Sequence, residues 1–135
     1  MANSNSSDSL FTVSNLQGGY GDIQILNGVT INVPEKNIVT IVGPNGAGKS
    51  TILKAVYGIA KVTSGSVTLN KDGVAIDVLA TKPHNLSKIG VGYVPQIDNT
   101  FPALSIDENL EVGYVNFTNR SLEEIREEIY GSYPD

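Results

Sequence analysis

The chain has 135 residues, 40% of them hydrophobic and 17% charged, which suits one globular domain with a sizeable core. A formal net charge of -5 argues against a general nucleic-acid binder, and no nucleic-acid partner is expected. The lack of cysteine excludes a disulfide framework and a thiolate metal site.

The opening "MANSNSSDSL" lacks both a basic region and an apolar core, so residues 1–9 read as a polar tail and not as a secretory signal. No run approaches the ~20 apolar residues that span a bilayer. A soluble intracellular protein is the expectation. "LFTVSNL" (Leu10 to Leu16) reads as a strand with Phe11 and Val13 on one face, and "QGGYGD" as a turn-rich link. "VTINV" alternates, with Val29, Ile31 and Val33 on one side and Thr30 and Asn32 on the other. "PEKN" is a tight turn. "IVTIV" (Ile38 to Val42) is nearly all apolar and β-branched, the pattern of a strand buried on both faces.

A helix starts near Lys49, with Ile52, Leu53, Val56 and Ala60 on one face. "GSVTLNKDGVAIDV" predicts a hairpin turning at Asp72-Gly73. "IGVGYV" (Ile89 to Val94) predicts another strand, stopped by Pro95. Ser105 with Glu108 and Ser121 with Glu124 are capping-box pairs. They predict helices near Ile106 to Tyr114 and Leu122 to Tyr130, the second with Leu122, Ile125 and Ile129 on one face.

The chemistry concentrates in "GPNGAGKST", Gly43 to Thr51. It fits G-x-x-x-x-G-K-S/T between a predicted buried strand and a predicted helix. The glycines Gly43, Gly46 and Gly48, with Pro44, Asn45 and Ala47 between them, let successive N–H groups turn inward. The helix start adds unpaired donors and the positive end of its dipole. The result is a cradle for a polyphosphate. Lys49 is placed to reach the terminal phosphates, the Ser50 hydroxyl to ligate magnesium, and Thr51 to bond a more internal phosphate.

"LNGVTINV" ahead of this loop, "SGSVTL" after the helix and "GYVPQ" ending on Gln96 complete a pattern that resembles the ATP-binding subunit of ABC transporters. The resemblance runs from Leu10 to the end. It implies an α/β P-loop NTPase fold of the ABC ATPase type, truncated, with an N-terminal antiparallel β portion and the start of a helical subdomain. The corresponding division is a partial nucleotide-binding core over 10–104 and a helical segment over 105–135. It implies ATP and Mg2+ as ligands. Tyr20 in "GGYGD" matches the family's adenine-stacking aromatic residue, whose π-face suits that role. Gln96 matches the Q-loop residue that senses magnesium and the attacking water, so Lys49 and Gln96 would be the catalytic contributors, and Ser50 and Gln96 the metal contacts. "PEKN" departs from the family's usual P-x-G-E, though a tight turn remains.

"VYGIAKVTSGSVTL" and "TFPALSIDENLEVGYV" are most similar to the ATPases of branched-chain amino-acid importers. Urea importers are the nearest rival, followed by lipid or polysaccharide exporters. The implied partners are transmembrane permease subunits, a second ATP-binding subunit and, indirectly, a solute-binding protein. The implied location is peripheral, on the inner face of the plasma membrane.

Other parts of the family's machinery do not appear in these residues. No LSGGQ-type signature, no apolar strand ending in Asp-Glu and no later switch histidine is present. The sole histidine, His84, reads as a surface residue, and "SLEEIREE" as a solvated acidic face that includes Arg126. The chain therefore reads as the first half of a nucleotide-binding domain, expected to bind ATP with negligible turnover on its own. A binding module that does not turn ATP over is the second reading. A P-loop kinase or GTPase is the third, opposed by Tyr20, Gln96 and the lack of an NKxD pattern. The two predicted buried strands would be short of neighbours and leave apolar edges exposed.

Overall fold

The computed structural model describes residues 9–97, 99–114 and 120–133, in two compact units divided between Ile89 and Gly90. The expected polar tail, apart from Ser9, lies outside these residues.

The first unit is built on a four-stranded sheet in the order β2-β1-β3-β4, with every neighbouring pair antiparallel. The strands are β1 (Ser9–Tyr20), β2 (Ile23–Pro34), β3 (Lys61–Lys71) and β4 (Val74–Asp77). The period-two pattern explains β2: Val29, Ile31 and Val33 are half-buried, while Thr30 and Asn32 are exposed. β1 runs further than expected. Gln17 to Tyr20 continue the strand, and only Gly21 and Asp22 form the turn. The glycines were misleading because here they admit neighbours instead of breaking the strand. A Cβ on Gly19 would stand 1.9 Å from the Ile23 carbonyl oxygen. At Asn15, φ is 47° and the register with both neighbours slips. This bulge puts Val13 and Leu16, three residues apart, both in the core. Thr30 Oγ1 accepts the Asn15 N–H at 3.1 Å.

The β3–β4 hairpin turns where expected. Asp72 and Gly73 both have positive φ, 51° and 77°, as a type I′ turn requires. "PEKN" also turns as expected, and Lys36 takes the left-handed conformation at φ 59°. That is the position where P-x-G-E carries glycine, so the substitution keeps the turn at some steric cost.

The helix α1 (Lys49–Val56) lies between β2 and β3 in sequence and packs on β1, β2 and β3. Its buried face is Thr51, Ile52 and Ala55, not the expected set. Leu53 is 50% exposed, and Ala60 is buried but lies beyond the helix end. The core is completed by Leu26, Val67, Leu69, Val78 and Leu86. Leu86 comes from α2 (Pro83–Ile89), a short helix that begins within "TKPHNLSK", which the sequence presents as a polar stretch. Pro83 at its first position is the overlooked signal. His84 is exposed, as expected.

Both predicted buried strands are corrected. Ile38 to Val42 forms no strand, and Ile38 and Val42 are 96% and 87% exposed. A strand apolar on both faces needs ladder partners and cover on each side, and no described residue supplies them. Ile89 ends α2, and Val91 to Pro95 has no ladder partner among the described residues. Its burial still alternates: Val91 and Tyr93 are half-buried, and Val94 is 80% exposed.

The second unit holds α3 (Ile106–Tyr114) and α4 (Leu122–Ser132), close to the expected bounds. Leu122, Ile125 and Ile129 are half-buried on one face of α4, as predicted. None of its described residues is fully buried. Polar contacts join the helices instead. Arg126 lies within 3.0 Å of Asp107 and 3.2 Å of Glu111, and Tyr130 Oη donates to Asp107 at 3.0 Å. Arg126 Nε faces Asp107 as an ion pair but too obliquely for a hydrogen bond. The solvated-face reading of "SLEEIREE" thus holds for the glutamates but not for Arg126, whose side chain is 25% exposed.

Both capping boxes form. Ser105 N–H and hydroxyl donate to Glu108 at 2.7 and 2.8 Å, and Ser121 N–H donates to Glu124 at 2.7 Å. These bonds, the backbone one foremost, hold both carboxyls below their ordinary value of 4.5. The stability they contribute is fully present above that value and is lost as pH falls through the lower folded-state value. Acidification below 4.5 is therefore expected to fray the starts of α3 and α4. NMR titration of the Ser105 and Ser121 amides reads this directly, and amides unmoved down to about pH 3 would refute it.

Candidate functional site

The loop from Gly43 to Gly48 leads into α1, and its construction explains what the helix end can hold. Gly48 caps the helix at φ 85°, ψ 6°, with no side chain bonded to the exposed N–H groups. The first turn contains no acidic residue. The other long helices differ: α3 and α4 have acidic residues in their first turns and a serine–glutamate box at the end. Only the start of α1 keeps its donors and dipole free of a negative side chain among these three. Such an end suits an anion.

Gly48 is buried, and tertiary packing dictates its identity. A Cβ there would lie 3.1 Å from Ile25 Cγ2 and 3.4 Å from Leu26 Cδ2, in a conformation that L-residues avoid. Ile25 and Leu26 on β2 therefore seat the loop. Sequence reasoning did not single them out, since their apolar character alone marks them only as core.

Gly43 to Ala47 are exposed, and nothing stands within 4 Å of a Cβ at Gly46. The Lys49 side chain curls back along the loop, where Nζ donates to the Gly43 and Pro44 carbonyls at 2.9 and 2.7 Å. This places the ammonium over the loop. Ala47 N–H donates to the Pro44 carbonyl at 3.3 Å and tightens the curve. Ser50 is exposed, and Thr51 is 7% exposed against the sheet.

The donor set fits a nucleoside triphosphate with magnesium. The loop offers free backbone donors and one ammonium for phosphate oxygens, and Ser50 offers an oxygen of the kind a hard cation takes. Among the described residues no group of three or more histidine or acidic side chains could hold a metal by itself. An ion here would be held largely by phosphate and hydroxyl oxygens.

Tyr20 ends β1, 40% exposed, paired with Ile23 across the turn. Ile25, which meets Gly48, is two residues further along β2, about 7 Å at strand rise. The turn end and the loop thus belong to the same end of the first unit. Gln96 is exposed in the second unit, just after Pro95.

Comparison with known proteins shows the family. The family model "ABC transporter" matches residues 26–132. A probable branched-chain amino acid transport ATP-binding protein, LivF of Archaeoglobus fulgidus, is 41% identical over 97 residues, covering 72% of this chain and 39% of that protein. The glutamate/aspartate import ATP-binding protein GltL of Escherichia coli is 35% identical over 120 residues, covering 87% and 48% respectively. A crystal structure of a nucleotide-free ATP-binding cassette from an ABC transporter superposes with a TM-score of 0.69 at 27% identity, covering 85% of this chain and 44% of that one. The chain thus spans less than half the length of each of these proteins.

Proposed function

As this chain belongs to the ABC transporter family and carries its ATPase cassette fold, we propose that it binds ATP with magnesium at the Gly43–Thr51 loop. The carrying observation is the uncapped, acid-free start of α1 beneath an exposed loop crossed by Lys49. In this reading the loop amides and Lys49 hold the phosphates, Ser50 ligates magnesium, and Tyr20 stacks on the base. Gln96 contributes to the metal and water contacts of a site completed by elements outside these 135 residues. Turnover, in this proposal, needs that completed site, and the chain alone binds ATP without appreciable hydrolysis.

The transport role is import of a small solute, with branched-chain amino acids favoured by the likeness to LivF. The likeness to a glutamate/aspartate importer supports an amino-acid solute without fixing which one, while a likeness to a zinc importer leaves the solute class open. Solute choice would reside in permease subunits and a binding protein, against which the cassette works as one of two ATP-binding subunits at the inner membrane face. Among the described residues no helix is long and apolar enough to cross a membrane, so attachment would run through those subunits. Calorimetric titration with ATP and magnesium, paired with a phosphate-release assay, tests both halves. No binding that depends on Lys49 would sink the first, and brisk Lys49-dependent release by the pure chain would sink the second.

A further inference from the structure

Two Asn-Gly steps occur in the sequence, Asn27-Gly28 and Asn45-Gly46, and the fold treats them in opposite ways. An asparagine followed by glycine is open to attack by the next backbone nitrogen, because no Cβ shields that nitrogen. Asn27 lies in β2, paired with Gln17 of β1. Its Oδ1 accepts from Gln24 Nε2 at 2.9 Å, and its Nδ2 donates to the Ile25 carbonyl at 3.3 Å. The following glycine is packed: a Cβ on Gly28 would stand 2.7 Å from Asn15 Oδ1. The Asn27 amide is thus held by both its polar atoms, on a backbone held by a ladder.

Asn45 has none of these restraints. It is exposed, outside any helix or strand, at the centre of the turn that Ala47 N–H closes on the Pro44 carbonyl at 3.3 Å. Gly46 shares that centre at φ 84°, the left-handed conformation that a type II turn asks of its third residue. Nothing stands within 4 Å of a Cβ on Gly46, so no neighbour crowds that side of the peptide. Among the described residues no hydrogen bond occupies the Asn45 side-chain amide or the Gly46 N–H.

We propose that Asn45-Gly46 is a site of spontaneous deamidation, which converts the loop to a form closed to phosphate. The Gly46 nitrogen loses its proton and bonds to Asn45 Cγ, the Cγ–Nδ2 bond breaks, and ammonia leaves. Water then opens the cyclic imide at either carbonyl, giving an aspartate or an isoaspartate at position 45. The sum is amide plus water to carboxylate plus ammonium, with no redox change. The new carboxylate puts a negative charge on a loop whose cation is Lys49, ahead of a helix with no acidic residue in its first turn. It opposes the helix dipole's attraction for anions and repels phosphate. The isoaspartate also inserts a methylene into the backbone of the turn. The modification itself needs only the loop, while its effect on ATP rests on the nucleotide reading above.

The test holds the full chain in warm, mildly alkaline buffer and samples it over time. Peptide mapping by mass spectrometry locates amide-to-acid conversion at positions 27 and 45, and isoaspartyl methyltransferase labelling counts the isoaspartate. Asn45 is expected to convert well ahead of Asn27, and Asn45→Gln to abolish the label in the loop. ATP–magnesium affinity of the aged chain is expected to fall in step with conversion. Asn45→Asp, which carries the charge without ageing, is expected to bind ATP–magnesium ~10-fold or more weakly than the wild type. Conversion at Asn45 no faster than at Asn27, or wild-type affinity in Asn45→Asp, overturns the inference. A fresh chain that converts at Asn45 yet never binds ATP strikes the nucleotide reading and the stated effect on it, but not the modification. A fresh chain that binds ATP and keeps Asn45 intact through ageing strikes the modification alone.

Discussion

Lys49→Ala is expected to weaken ATP–magnesium binding by ~100-fold or more, below detection in an ordinary calorimetric titration. The Lys49 ammonium makes two charge-assisted bonds, to the Gly43 and Pro44 carbonyls, so it both holds the loop's curve and supplies its only cation. A charge-assisted bond from the same ammonium to a phosphate oxygen would be worth about 1.5–3 kcal/mol, and about 2.7 kcal/mol corresponds to 100-fold. The variant should fold as the wild type does, because the side chain lies at the surface of the loop and contributes nothing to the buried core. Lys49→Arg is the informative companion. It keeps the charge but presents a planar fork that does not reproduce the point charge. Equal affinity in the wild type and Lys49→Ala would remove the site assignment, whatever the family.

Leu16→Ala should be the most damaging simple truncation in the core. Leu16 is fully buried at the bulge of β1, among the largest side chains with no exposure. Leucine-to-alanine changes at such sites cost about 2–5 kcal/mol. Domains of this size have about 5–15 kcal/mol in total. The core rests on few residues, and the second unit adds no fully buried ones among its described residues, so a large drop in thermal midpoint or outright unfolding is expected. Ile38→Ser is the paired control. With Ile38 96% exposed, it should change stability by no more than about 0.5 kcal/mol and should lower self-association. If Ile38→Ser destabilised the chain as much as Leu16→Ala, the unpaired state of Ile38 to Val42 would be wrong.

These two experiments fall on opposite sides of what the sequence reveals. The loop-to-helix junction at Gly43 to Thr51 was legible because its signal is local. Three glycines, a lysine and a hydroxyl at fixed spacing, placed before a helical pattern, need no distant contact to be read. The capping boxes, the Asp72-Gly73 turn and the alternation in β2 were legible for the same reason. Each is decided within four or five residues, by a hydrogen bond or a sign of φ that the residue types dictate.

The rest depended on partners remote in sequence. Gly18 and Gly19 look like a break, yet they are strand, because Lys61 and Ile23 close against them. "TKPHNLSK" looks like a polar connection, yet it folds as a helix that buries Leu86. Arg126 looks solvated, yet it joins two helices through Asp107 and Glu111. "IVTIV" and "IGVGYV" read as strands because their composition suits burial on two faces. Composition supplies the wish to be covered, but a ladder needs another chain segment at about 4.8 Å, and only the tertiary structure decides whether one is there.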